Sequence, residues 1–305
     1  MRMTVDFGGF PNIYMILTSF FIFAFLFGSG QHRAATHRLR EAVDLALSMD
    51  MDKPQGYDSL DPETRDQWLR THLVSSITER IFALQKRYTI KSRGSPTPNA
   101  HLIRAFGSLT SYSAHRDKTD SIGMISLLYF MEAYNAIDES VVECWAGYCK
   151  YSYGHCEVFD QRLALRMFRA QERARKDWLT GSISSEPSTP LLSVYQLLES
   201  QQIAIVVIHF WLMNKIWELC MSHGLLRDDS EHRELRLDFA YHVAYKFGTS
   251  CHAMNLHALE VHGVGIVEKI VDITLSLIKA GGSTRVQWRG GTSSLICLKY
   301  SIGLS

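Results

Sequence analysis

The chain has 305 residues, 46% of them hydrophobic, with 32 basic and 31 acidic side chains and a net charge of +1. That balance suits a folded protein with a sizeable core, excludes extensive disorder, and lacks the basic excess on which charge-driven nucleic-acid binding depends. The cysteines at 144, 149, 156, 220, 251 and 297 include no C-x2-C pair, which excludes standard zinc-finger, zinc-cluster and thioredoxin-like motifs and fits buried thiols in a reducing compartment.

Ile13 to Phe27, IYMILTSFFIFAFLF, is uncharged and strongly apolar. It is about five residues short of the roughly 20 that a membrane-spanning helix needs, and it reads as a buried core helix. The alternative is a membrane anchor or secretory signal, with Arg2 as its basic end and Gly28-Ser29-Gly30 imitating a cleavage site. Asp6 and Pro11 weigh against a signal.

Gln31 to Met51 is predicted to be a second helix with a narrow stripe of Ala35, Leu39, Ala42, Val43 and Ala46. Its alanines allow close helix approach. Asp52-Lys53-Pro54-Gln55-Gly56 ends it, because a proline and a nearby glycine do not continue a helix.

Leu60 to Tyr88 reads as one long helix. Asp61 is placed to cap it, Pro62 suits its first position, Glu63 favours the positive end of the dipole, and Lys86 and Arg87 suit the negative end. Leu69, Leu73, Ile77, Ile81, Leu84 and Tyr88 line up as an apolar stripe. Arg80 interrupts it. Its stem is expected at the edge of the core, with its head in a structural ion pair or on backbone carbonyls; a regulatory or ligand-binding role is the alternative.

KSRGSPTPN is a turn-rich connection, and Asn99 to Asp120 shows no clear periodicity. Ser121 to Tyr148 resumes a helical pattern through Ile122, Ile125, Leu128, Tyr129 and Ala133. Cys144, Cys149, His155 and Cys156 follow among Trp145, Tyr148, Tyr151 and Tyr153. Their spacing matches no standard zinc pattern, so packing is expected there and no metal is assigned.

Phe159 to Trp178 is the most basic element: Arg162, Arg166, Arg169, Arg173 and Lys176 recur at helical steps. Two uses suit such a stripe: a solvated face paired with Glu172 or Asp177, or a docking surface for an acidic partner or phosphates. Thr180 to Pro190, rich in Ser, Thr and Pro, is a candidate subdomain boundary. Leu191 to Gly224 is a long apolar helical region whose bulky face holds Val207, Phe210, Trp217 and Met221. His209 and His223 read as core and cap residues. Glu231 to Phe247 and Thr249 to Lys279 complete the helices, the latter with Ile266, Ile270, Ile273 and Leu277 on one side. Gly263 and Gly265 have no preceding strand and no following Lys-Ser/Thr, so they form no phosphate loop.

Several stretches carry a family resemblance. LDPETRDQW and ITERIFALQKRYTI resemble the middle homology region of fungal zinc-cluster (Zn2Cys6) transcription factors, and are most similar to the maltose- and starch-responsive activators. TSFFIFAFLFGSGQ, LREAVDLALSMDM, WLMNKIWELCMSHGLL and VHGVGIVEKIVDI fit the same region, so the resemblance runs from about Thr18 to Lys279. It implies an all-α fold, a large helical regulatory domain of fungal transcription factors over residues 10–280, with a possible subdomain boundary at 180–190 and an irregular tail over 281–305. The implied function is transcription regulation in the nucleus, controlling carbohydrate or secondary metabolism genes. The implied partners are transcription machinery or a corepressor, a second subunit in a homodimer or heterodimer, and a small-molecule inducer.

The family's cysteine cluster has no counterpart in this sequence. Direct DNA binding is therefore not expected of the chain, nor any cofactor, zinc belonging only to the missing N-terminal cluster. Nor is an enzyme expected, since no G-x-S-x-G, H-E-x-x-H or dinucleotide motif is present. Trp211 and Trp217 are the candidate effector-pocket residues, and Arg162, Arg166, Arg169, Arg173 and Lys176 the candidate docking surface. A membrane-anchored or secreted helical protein using residues 13–27 is the alternative.

Overall fold

The computed structural model describes residues 11–93, 118–149, 151–152, 155–181, 194–252 and 254–283. The fold is all-α; among the described residues, strands are confined to one antiparallel pair of dipeptides. The chain divides into two compact units, Met1–Tyr148 and Cys149–Ser305. That division lies upstream of the candidate boundary at 180–190, of which residues 182–190 fall outside the described set. The tail expected over 281–305 lies outside it beyond residue 283.

The first unit opens with α1 (Ile13–Gly28) and α2 (His32–Ser48), joined by three residues into a helical hairpin. Asn12 caps α1 by accepting the amides of Tyr14 and Met15 at 3.1 and 3.2 Å. Ala35, Ala42 and Ala46 are buried against α1. These small side chains let Met15 and Ile16 reach a core shared with Leu45 and Met51. The opposite face of α1 is uncovered, leaving Tyr14, Phe21 and Phe25 exposed. A tight turn follows α2, where an added Cβ on Gly56 would meet the Asp50 carbonyl oxygen at 2.5 Å.

α3 (Pro62–Lys86) is the hub of this unit, packing on α1, α2, α4 (Lys118–Tyr134) and α5 (Glu139–Ala146). Asp61 caps it by accepting the amides of Glu63 and Thr64, both at 3.1 Å, and Pro62 occupies the first turn. Leu69, Leu73, Ile77 and Leu84 are buried as the stripe predicts, each worth about 1.5–3 kcal/mol if fully withdrawn from water. Phe82 extends this core by meeting Phe23 and Tyr88 edge-on, each at 5.6 Å between centroids. Four surrounding helices also cover the polar side of α3, burying Asp66, Ser75, Ser76, Glu79 and Arg80. The helix predicted over Ser121 to Tyr148 breaks between α4 and α5, where Asp138 accepts the Val141 amide at 3.0 Å and starts α5.

The second unit opens with the paired strands β1 (Tyr151–Ser152) and β2 (His155–Cys156). Then come α6 (Gln161–Thr180), α7 (Glu199–Ser222), α8 (Phe239–His252), α9 (Leu256–Glu260) and α10 (Gly263–Ser283). α7 is the hub, packed on α6, α8, α9 and α10. By length and composition α7 alone among the described helices is apolar enough to cross a membrane, but 89% of its apolar window is buried inside the protein. The predicted helix from Thr249 to Lys279 is three pieces, since α8 ends at His252 and α9 at Glu260.

Candidate functional site

The C-terminal end of α7 meets the β1–β2 hairpin within the second unit. Pairing of Tyr151 with Cys156 folds the chain back on itself and brings Cys156 toward Cys149. His223, the residue that caps α7, is only 3% exposed. The Sγ atoms of Cys149 and Cys156 and a ring nitrogen of His223 lie within 4.8 Å of one another. Cys149 Sγ stands 3.4 Å from His223 Nε2. The five described cysteines are thiols.

The supporting contacts select one tautomer. His223 Nδ1 lies 3.0 Å from the Leu219 carbonyl oxygen, an atom that only accepts, so Nδ1 carries the proton and Nε2 turns its lone pair toward the sulfurs. Ser222 Oγ lies 3.1 Å from the same Nδ1 and itself donates to the Leu219 carbonyl at 2.9 Å. Phe159 covers the imidazole edge-on at 5.1 Å, and its amide donates to Cys156 Sγ at 3.3 Å. Burial lowers the His223 pKa from its ordinary value, partly opposed by the bond to Leu219.

Of the groups singled out in the sequence, Cys149 and Cys156 enter this cluster and the side chain of His155 lies outside the described set. His223, read as a cap, is a cap that also presents a donor atom. Sequence distance hides that second role: only the fold brings the end of α7 to a hairpin 67 residues upstream of His223.

The cationic stripe on α6 forms as its spacing predicts. Arg162, Arg166, Arg169, Arg173 and Lys176 are all exposed, while Ala164, Met167, Phe168, Ala174 and Trp178 face inward. Glu172, one of the two acids expected to neutralise the stripe, instead pairs with Arg175 at 3.1 Å. Asp177, the other, is buried.

Arg80 is inside the core rather than at its edge, at 1% exposure. Its Nε donates to the Ile137 carbonyl at 2.9 Å, and its Nη atoms reach the Ser76 carbonyl at 3.1 Å and the Ser92 carbonyl at 3.3 Å. Nη1 also donates to Ser92 Oγ at 3.0 Å, and that hydroxyl donates in turn to buried Glu79. Burial lowers the Arg80 pKa to about 10 against the raising influence of Glu79 and its neighbours.

Trp211 and Trp217 are fully buried, and each indole N–H is bonded, to Asp272 Oδ2 at 2.8 Å and to the Arg236 carbonyl at 3.0 Å. Around Trp211 runs a network that sequence spacing did not reveal. Lys215 lies 2.8 Å from Asp272 and 3.2 Å from Glu218, and Ser276 donates to Glu218 at 3.0 Å. The Lys269 ammonium sits 5.2 Å from the Trp211 ring centroid.

Comparison of the chain with family models, curated proteins and solved structures finds no match.

Proposed function

We propose that this chain is the helical regulatory part of a fungal-type transcription regulator, acting in the nucleus through protein partners rather than by its own contact with DNA. The observation that carries the reading is the α6 stripe: five cations on one exposed helix face, with Glu172 paired to Arg175 and Asp177 buried. At 100° per residue these five positions fall within about 80° of the helix circumference and extend along about 21 Å of its axis. Such a surface suits an acidic segment of a corepressor or of the transcription machinery. The all-α fold and the resemblance over residues 18–279 support the same reading.

A reporter assay tests it. The full chain is fused to an unrelated DNA-binding domain and placed upstream of a reporter gene. Reporter output should differ from that of the DNA-binding domain alone, and replacing all five cations by glutamate should abolish the difference at equal protein level. Unchanged output from the wild-type fusion would sink the proposal.

A second reading rests on α1, whose Tyr14, Phe21 and Phe25 are 75%, 66% and 70% exposed. Aromatic residues on an uncharged face suit a membrane interface, so the chain would be anchored there by residues 13–27. Cell fractionation separates the two readings: a nuclear fraction supports the first, a membrane pellet the second.

A further inference from the structure

We propose that Cys149, Cys156 and His223 hold a zinc ion, and that this site staples the β1–β2 hairpin to the end of α7.

The donor geometry is the first argument. In a tetrahedral site with Zn–S of about 2.3 Å and Zn–N of about 2.0 Å, sulfur and nitrogen ligands stand about 3.5 Å apart. Cys149 Sγ and His223 Nε2 are already at 3.4 Å. All three atoms lie within 4.8 Å, so small side-chain rotations bring them onto one ion.

The surroundings are the second argument. A histidine that binds zinc typically donates its other N–H to a carbonyl or carboxylate, fixing the tautomer that leaves the metal-facing nitrogen unprotonated. His223 does this through Nδ1 and Leu219. An amide donating to a sulfur favours the thiolate, which is the form that binds metal. Cys156 receives such a bond from Phe159.

The chemistry of the donor set selects the metal. Two thiolates and one imidazole suit zinc over magnesium or calcium, which take oxygen ligands.

The experiment uses the full chain, purified under reducing conditions from zinc-supplemented cells. Metal analysis should find about one zinc per chain, released when the thiols are blocked with a mercurial and detected by a zinc-binding dye. Cys149→Ser and Cys156→Ser should each lose stoichiometric zinc. Because His223→Ala removes a buried side chain and can unfold the unit, the wild-type chain is also loaded with cobalt(II). Thiolate-to-cobalt charge-transfer bands with intense tetrahedral ligand-field absorption are expected. A folded chain without stoichiometric zinc and without that cobalt spectrum overturns the proposal, as does a disulfide between Cys149 and Cys156 in the reduced preparation.

Discussion

Arg80 donates through Nε to the carbonyl of Ile137, 57 residues further along the chain, at 2.9 Å. The same guanidinium holds Ser92, which in turn satisfies Glu79. One buried cation thus ties the middle of α3 to the segment after it and to the turn between α4 and α5. Arg80→Ala should cost about 3–5 kcal/mol, since it leaves carbonyls unbonded and Glu79 without its buried cationic neighbour. Arg80→Lys should recover only part of this, because an ammonium cannot reproduce the planar fork that reaches three separate carbonyls. Urea denaturation followed by circular dichroism measures both; equal midpoints for Arg80→Ala and wild type would contradict this account.

His209 predicts acid sensitivity of the second unit. It is 2% exposed, edge-on to Trp178 at 5.2 Å, and its Nδ1 has no hydrogen-bond partner among the described residues. Burial, aided by Arg175, lowers its pKa to about 3. Because the folded value lies below the unfolded one of about 6.5, the stabilisation is complete above pH 6.5 and is lost progressively as the pH falls toward 3, by about 4–5 kcal/mol in all. His209→Phe removes the titration and the unbonded nitrogen. Its stability should match wild type near pH 7 and exceed it at pH 5, where an unchanged gap between the two would count against the assignment.

Lys269 acts in the same direction at the alkaline end of the pH range. Burial lowers its pKa to about 8, against the raising pull of Glu268 and Asp272. Below pH 8 the folded and unfolded chains both carry the proton, so the full cost of the buried charge, about 3 kcal/mol, is present. As the pH rises from 8 to 10.5 the folded state sheds the proton first and this cost is relieved. Lys269→Met should therefore stabilise the protein at pH 7 and flatten that part of its pH profile. Chemical denaturation of both proteins at pH 7, 8, 9 and 10 makes the comparison, and parallel curves would refute it.

The α6 stripe should separate binding from stability. Replacing Arg162, Arg166, Arg169, Arg173 and Lys176 by glutamine touches only exposed positions, so each substitution should change stability by no more than about 0.5 kcal/mol. Capture of acidic partners should fall sharply and the salt dependence of the remaining binding should flatten. A variant that unfolds instead would show that the stripe supports the helix itself.

The helical elements were largely legible because caps and periodicity are local. Asp61, Pro62 and the Leu69, Leu73, Ile77 and Leu84 stripe place α3 within two residues of its observed start. The cationic stripe was equally legible, since α6 needs only its own 3.6-residue repeat to align five charges. The breaks at Asn135 to Asp138 and at Val261 to His262 were not, because the apolar pattern runs on through both while the backbone turns. The depth of Arg80 was hidden for another reason: one helix's periodicity records one face, and α3 is covered on several.

The sequence alone therefore determined the all-α class, the principal helices and the charged face of α6, all properties of residues close together in the chain. Tertiary structure alone decided that His223 turns its Nε2 toward Cys149, that Lys215 and Trp211 share Asp272, and that Arg80 reaches Ile137. These pairs are separated by 57 to 74 residues in all but the local Lys215 and Trp211 relation, and side-chain bonds over such distances depend on how the helices pack. Helix propensity is written within a few turns of chain; the meeting of a cap, a hairpin and a thiol is settled only when those turns are stacked.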